Sequence, residues 1–278
     1  MTVEISGESV EVQANGLRHR VLHYGDPGAR DLLVLPGITS PAVTADFLAV
    51  RLADLGYRVT VPDARGRGQT DRAPAGGYRM VDYAADVAGL VEALDLASPV
   101  VLGHSMGART AAAYAVLHAP DQHGLSILVD PPVSGPGRGP YPTSWESFAQ
   151  QLGEAQRGTG PDEVRRFYPQ WPLRELQLRA EVLISCDEAA VRESFRGLEE
   201  EDFFEYWARL SPPVVLVRGG DSPVVPLSAV ADLRRARPDI EIVTVPGAGH
   251  MVPWDNLSGF FDAVRPYLLA HVQHPSPA

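Results

Sequence analysis

The chain has 278 residues, 45% hydrophobic and 21% charged, with 24 Lys and Arg against 35 Asp and Glu for a net charge of −11. That is apolar material enough for one large α/β core or two small ones, and the acidity argues against nucleic acid and anionic membrane surfaces as partners. A single cysteine, Cys186, excludes an intrachain disulfide and fits a reducing cytoplasm, where it reads as a small packing residue. No basic region followed by an apolar run opens the sequence, so no secretion signal is expected. No apolar stretch approaches the ~20 residues that span a bilayer. Nothing in the sequence sets an oligomeric state.

Residues 3–12 and 17–24 alternate as two strands around a turn at Ala14-Asn15-Gly16. Residues 31–35, Asp-Leu-Leu-Val-Leu, form a continuous apolar run of the kind a parallel strand buried on both faces needs. A loop, Pro36-Gly37-Ile38-Thr39-Ser40, leads to a helix near residues 44–55. The next strand, 57–61, runs into the glycine-rich loop 62–68, which carries Arg65 and Arg67, and a helix follows over 80–95. Residues 99–102 read as a short buried strand and 108–117 as an alanine-rich helix; between them stands Gly103-His104-Ser105-Met106-Gly107.

Strand, G-x-S-x-G and helix in that order describe a nucleophile elbow. A serine raised on so tight a turn takes a strained backbone, and small residues at 103 and 107 let neighbouring chain pass closely. The helix behind it aims its N-terminal amides at any anion that develops beside the serine.

Residues 126–129 form another short strand, ending at Asp130. From 133 to 211 the composition changes: a Gly- and Pro-rich opening is followed by amphipathic helical stretches carrying Trp145, Trp171 and Trp207. This region reads as a helical cap inserted into an α/β core made of 1–132 and 212–278. Strand 213–217, helix 227–237, strand 240–245 and a closing helix from 257 to 271 complete the alternation, and residues 274–278 read as a frayed tail. Strands alternating with helices mean a mostly parallel, doubly wound sheet.

A serine hydroxyl needs a base within hydrogen-bond reach and an acid to orient that base. His250, in the loop after the last strand, is the candidate base, since in this fold the partners follow in the order Ser, acid, His. His104, on the elbow itself, is given a packing role. Two acids compete. After strand 213–217 the loop reads Gly219-Gly220-Asp221-Ser222-Pro223-Val224-Val225-Pro226, where the usual acid position holds Ser222 and Asp221 falls one residue early. Asp130 ends the strand after the elbow helix, from where a carboxylate also reaches the histidine. That placement favours Asp130 and keeps Asp221 as the alternative. The oxyanion hole needs two backbone N–H groups; Met106, after the nucleophile, and Ile38, after the first parallel strand, are positioned to supply them. Thr39 either lines the pocket or caps the next helix.

The whole chain resembles the α/β hydrolases. The stretches 36–42 (Pro-Gly-Ile-Thr-Ser-Pro-Ala), 103–109 (Gly-His-Ser-Met-Gly-Ala-Arg), 130–138 (Asp-Pro-Pro-Val-Ser-Gly-Pro-Gly-Arg) and 248–254 (Ala-Gly-His-Met-Val-Pro-Trp) resemble the N-formylmaleamate deformylases, bacterial enzymes of aerobic nicotinate breakdown. The resemblance implies hydrolysis of a formamide-type C–N bond in a small-molecule substrate without metal or other cofactor. It also implies a triad of Ser105, Asp130 and His250, the acid following the earlier strand. The competing functions are a carboxylesterase or related amide hydrolase of the same fold, or a non-hydrolytic small-molecule receptor. Because N-formylmaleamate carries a carboxylate and the protein is acidic, a local arginine is expected to hold it. Arg138, Arg109 and Arg65, with Arg67 beside it, are the candidates, Arg138 first because it lies in the most particular stretch.

Overall fold

A computed structural model describes residues 3–120 and 124–273. Its strands are β1 (Glu8–Ala14), β2 (Leu17–Tyr24), β3 (Arg30–Leu35), β4 (Tyr57–Pro62), β5 (Val100–His104), β6 (Ser126–Val129), β7 (Val214–Gly219) and β8 (Glu241–Val245). They form one sheet in the order β1-β2-β4-β3-β5-β6-β7-β8. The β1–β2 and β2–β4 pairs are antiparallel and all other neighbours are parallel. At the first hairpin Asn15 and Gly16 both take positive φ, 47° and 75°, the twist a two-residue turn between strands requires. The first strand starts later than expected because upstream backbone donors go elsewhere: Val3 N–H to Glu181 and Ser6 N–H to Asp46. The frayed tail expected at 274–278 lies outside the described residues.

The helices that follow in chain order are α1 (Asp46–Ala53), α2 (Met80–Ala93), α3 (Met106–Leu117), α4 (Trp145–Gln156), α5 (Pro161–Arg165), α6 (Leu173–Val182), α7 (Glu188–Glu200), α8 (Phe203–Trp207), α9 (Leu227–Ala236), α10 (Val252–Asp255) and α11 (Leu257–Gln273). Alternate strand residues bury on opposite faces, as a pleated sheet demands. Leu33, Val101, Leu128 and Leu216 pack with α2, α3 and α9. Leu32, Val100, Ile127 and Val215 pack with α1 and α11 on the other face. Both faces are therefore dry, which is why these strands read as unbroken apolar runs.

Helices α4 to α8 all fall between β6 and β7. Phe148, Leu152, Phe195 and Trp207 from this segment share a continuous core with Leu33 and Val101 of the sheet. Trp207 is fully buried and donates its indole N–H to the Leu233 carbonyl of α9 at 3.0 Å. The order β4-β3-β5 puts a topological switch at β3, where the chain steps first to one side and then to the other. Crevices outside strand C-termini at such points hold ligands in doubly wound sheets. Residues Gly37 to Ser40 and Ser105 open into this crevice.

Candidate active site

Ser105 stands at the turn between β5 and α3 with φ 56° and ψ −121°, a conformation L residues rarely adopt. The glycines of the motif explain how the strain is accommodated. A Cβ at Gly107 would lie 2.0 Å from the Leu35 carbonyl oxygen, and one at Gly103 would lie 2.1 Å from that of Gly107. Only hydrogen fits at either position. Alanines 108, 111, 112 and 113 of α3 are all fully buried, so the helix packs tightly against the sheet behind the serine.

His250 reaches the serine from the loop between β8 and α10. Its Nε2 lies 2.9 Å from Ser105 Oγ and its Nδ1 2.7 Å from Asp130 Oδ2. With Nδ1–H donating to the carboxylate, Nε2 is left to accept the serine proton. Asp130 follows β6 with φ 47° and is fully buried. Its Oδ1 accepts the Gly219 N–H at 3.0 Å, while Oδ2 also accepts the Ser222 hydroxyl at 2.5 Å. Asp221 is exposed, and its backbone N–H donates to the Ala248 carbonyl.

His104 does more than fill space. Its Nε2–H donates to the backbone carbonyl of His250 at 2.9 Å, and the two rings lie 5.0 Å apart. Burial pulls the His104 imidazole down to about 3, with the neighbouring His250 adding to the shift, so the ring is neutral at working pH. Tyr141, which the sequence did not single out, places its hydroxyl 3.3 Å from His250 Nε2. Burial raises its pKa, which keeps the phenol protonated and able to donate.

These groups open into a cavity of about 430 Å³. Ile38 and Thr39 line it beside Ser105, and Gly37 is so close that a Cβ there would lie 3.4 Å from the Ser105 Cβ. Met106 is the first residue of α3 and is buried. Two arginines pin this loop through its carbonyls: Arg67 Nε donates to Ile38 O at 3.0 Å and Arg179 Nη1 to Thr39 O at 2.5 Å. The roof comes from the segment between β6 and β7, including Phe148, Gln151, Tyr168, Trp171 and Arg179. Asp255 also lines the cavity; burial raises its carboxyl above the usual range, and it accepts the Gly249 N–H.

The arginines expected to meet a substrate carboxylate are not at this cavity. Arg138 stacks 3.4 Å above the Phe204 ring and pairs with Asp202. Arg109, fully buried, donates to the Leu198 and Glu201 carbonyls and ties α3 to α7. Arg65 is held by Asp86 and the Gly77 carbonyl. Arg67 spends its donors on Ile38 O, Arg65 O, Ala190 O, Tyr83 and Ser194. Each is consumed by local acceptors. The arginine that does line the cavity, Arg179, was not among the candidates. One signal pointed to it: with Leu176 and Leu183 it forms a buried i, i+3, i+7 stripe on α6 and the turn beyond, so a cation sits on an apolar face.

Among the described residues no group of His, Cys, Asp and Glu is arranged to hold a metal ion, and no helix is long and apolar enough to cross a membrane.

The sheet order, the strained serine and the crevice above it define an α/β hydrolase, and the chain belongs to that family: the family's sequence model, described as alpha/beta hydrolase fold, matches residues 31–257. The protein is a hydrolase. It is 41% identical over 257 residues to N-formylmaleamate deformylase of Pseudomonas putida, covering 92% of this chain and 95% of that one. It is 30% identical over 240 residues to 2-(acetamidomethylene)succinate hydrolase of Mesorhizobium japonicum, covering 80% and 81%. The crystal structure of the N-formylmaleamic acid deformylase from Pseudomonas putida S16 superposes with a TM-score of 0.86 at 40% identity, covering 92% of this chain and all of that one.

Proposed function

We propose that the protein cleaves the formamide-type C–N bond of a small linear amide, N-formylmaleamate, to give maleamate and formate. The observation that carries this reading is the unbroken chain Ser105 Oγ–His250–Asp130, with contacts of 2.9 and 2.7 Å, opening into a cavity of small-molecule size. The substrate class is supported by the two relatives, whose names both describe enzymes of small amides.

In this scheme His250 Nε2 takes the Ser105 proton as the oxygen attacks the formyl carbon. The negative charge that develops faces the N–H groups of Ile38 and Met106. His250 then gives its proton to the departing nitrogen, releasing maleamate and leaving a formyl ester on Ser105. A water, deprotonated by the same nitrogen, attacks that ester; collapse returns the proton to Ser105 and frees formate. Asp130 holds Nδ1–H throughout and stabilises the imidazolium. Residues 133–211 act as a cap over this chemistry and the remainder as the core. We place the reaction in the cytoplasm, where the lone, buried Cys186 stays reduced.

Product analysis with matched N-formyl, N-acetyl and ester substrates tests the assignment. One formate per N-formyl amide consumed, with the acetyl amide and ester turned over poorly, is the expected result. Rapid ester cleavage with the formamide untouched makes the protein a carboxylesterase. Failure of a fluorophosphonate to label Ser105 supports a non-hydrolytic receptor instead.

A further inference from the structure

Arg179 is 3% exposed and lines the cavity that holds Ser105 and His250. A guanidinium has five N–H donors in a fixed fork. Three find acceptors: Thr39 O at 2.5 Å, Thr39 Oγ1 at 3.0 Å and, weakly, Gln151 Oε1 at 3.5 Å. The Nε–H has no partner although it is buried. Among the described residues no carboxylate pairs with this cation, and the Tyr168 ring lies 5.5 Å away. A buried cation whose donors lack acceptors carries a desolvation cost that a bound anion would offset.

The other buried arginines show the difference. Arg67 meets five acceptors with its five donors, Arg65 and Arg20 sit against Asp86 and Asp63, and Arg218, away from the cavity, donates to the Val225 and Gly220 carbonyls. Arg109 leaves Nε unpaired too, but outside the cavity, with the charges of Glu201 and Asp202 acting on it. Arg179 alone among these six buried arginines combines spare donors, no acid and a place on the cavity wall. Its tie to Thr39 sets it one residue from Ile38, so an anion held here lies beside the position where the acyl group must bind.

We infer that Arg179 is the receptor for a carboxylate on the substrate, and that the enzyme selects small amides bearing such a group near the scissile bond. The inference rests on the hydrolytic reading given above. It also explains how a protein of net charge −11 retains an anionic substrate: the local cation is buried and weakly screened, while the surface field is screened by salt.

The test compares N-formylmaleamate with its neutral carboxamide counterpart in Arg179→Met and Arg179→Lys. Both substrates should slow in Arg179→Met, because Thr39 loses its anchor. The acid-over-amide ratio of kcat/KM should fall further, by about 10- to 100-fold, the range for losing a charged hydrogen-bonded contact, with the loss in KM. Arg179→Lys, which keeps the charge but not the fork, should fall between. Equal losses for both substrates in both variants make Arg179 a loop brace only and overturn the inference. If wild type cleaves neither amide, the hydrolytic reading fails separately. Calorimetric titration of wild type and Arg179→Lys with maleate then decides the point, and equal affinity in the two counts against it. The same titration serves if Arg179→Met does not fold.

Discussion

The Ser222 hydroxyl donates to Asp130 Oδ2 at 2.5 Å, joining the two strand ends that compete to supply the acid. Ser222 stands where many members of the fold carry the carboxylate, and here it has become a donor to the carboxylate of the neighbouring strand. Asp130 therefore accepts three hydrogen bonds, from Gly219, Ser222 and His250. Asp221, one residue earlier, is exposed to solvent.

That arrangement separates the acids by substitution. Asp130→Asn should lower kcat by about 10⁴, because an amide presents His250 with the wrong partner. Asp221→Asn should change kcat little. The reverse order in steady-state kinetics would move the acid to the loop after β7.

Ser222→Ala removes one of the three donors and leaves the other two. The expected cost is about tenfold in kcat, the worth of one hydrogen bond to a charged group. A variant as active as wild type would show that Gly219 and His250 suffice to hold the carboxylate.

Ser105→Ala should abolish turnover, by about 10⁶ in kcat, while circular dichroism and thermal midpoint stay near wild type. Substantial residual activity would place the nucleophile elsewhere.

Acid should weaken the fold through His104. Burial holds its folded pKa near 3, below the ordinary 6.5, so between those values the unfolded chain binds the extra proton. The neutral ring thus contributes stability in full above pH 6.5 and loses it as pH falls toward 3. His19, also depressed by burial, adds to the same slope. Urea unfolding at stepped pH should show stability declining below about 6.5, and His104→Gln should flatten the decline. An unchanged slope in that variant would assign the acid sensitivity to other groups.

Arg65→Met should lower the thermal midpoint sharply, since it strands a buried Asp86; removing one member of such a pair costs about 3–5 kcal/mol. Arg138→Met should alter neither stability nor the acid-over-amide substrate ratio appreciably, because its Asp202 pair and Phe204 stack lie away from the cavity. A selective loss for the charged substrate in Arg138→Met would restore that residue as the carboxylate contact.

The sheet, the elbow and the chain order of Ser105, Asp130 and His250 are legible in the sequence, because each rests on short-range rules. Apolar runs need two dry faces, Gly103 and Gly107 have no room for a Cβ, and an alanine-rich stretch can pack a helix directly on β5. Adjacency to the nucleophile marked Met106, and the loop after the first parallel strand marked Ile38. What the sequence left open was decided by the direction of long side chains. Asp130 and Asp221 were both reachable on topology, and only the positive φ at Asp130 and the donors of Gly219 and Ser222 aim one of them at His250. The arginines failed for the same reason. A guanidinium reaches several ångströms from its backbone, so its neighbours in sequence say little about what it touches. Arg138 lay in the most particular stretch yet folds onto Phe204, while Arg179, inconspicuous in α6, is turned into the cavity because Leu176 and Leu183 on the same stripe dock that helix against the core.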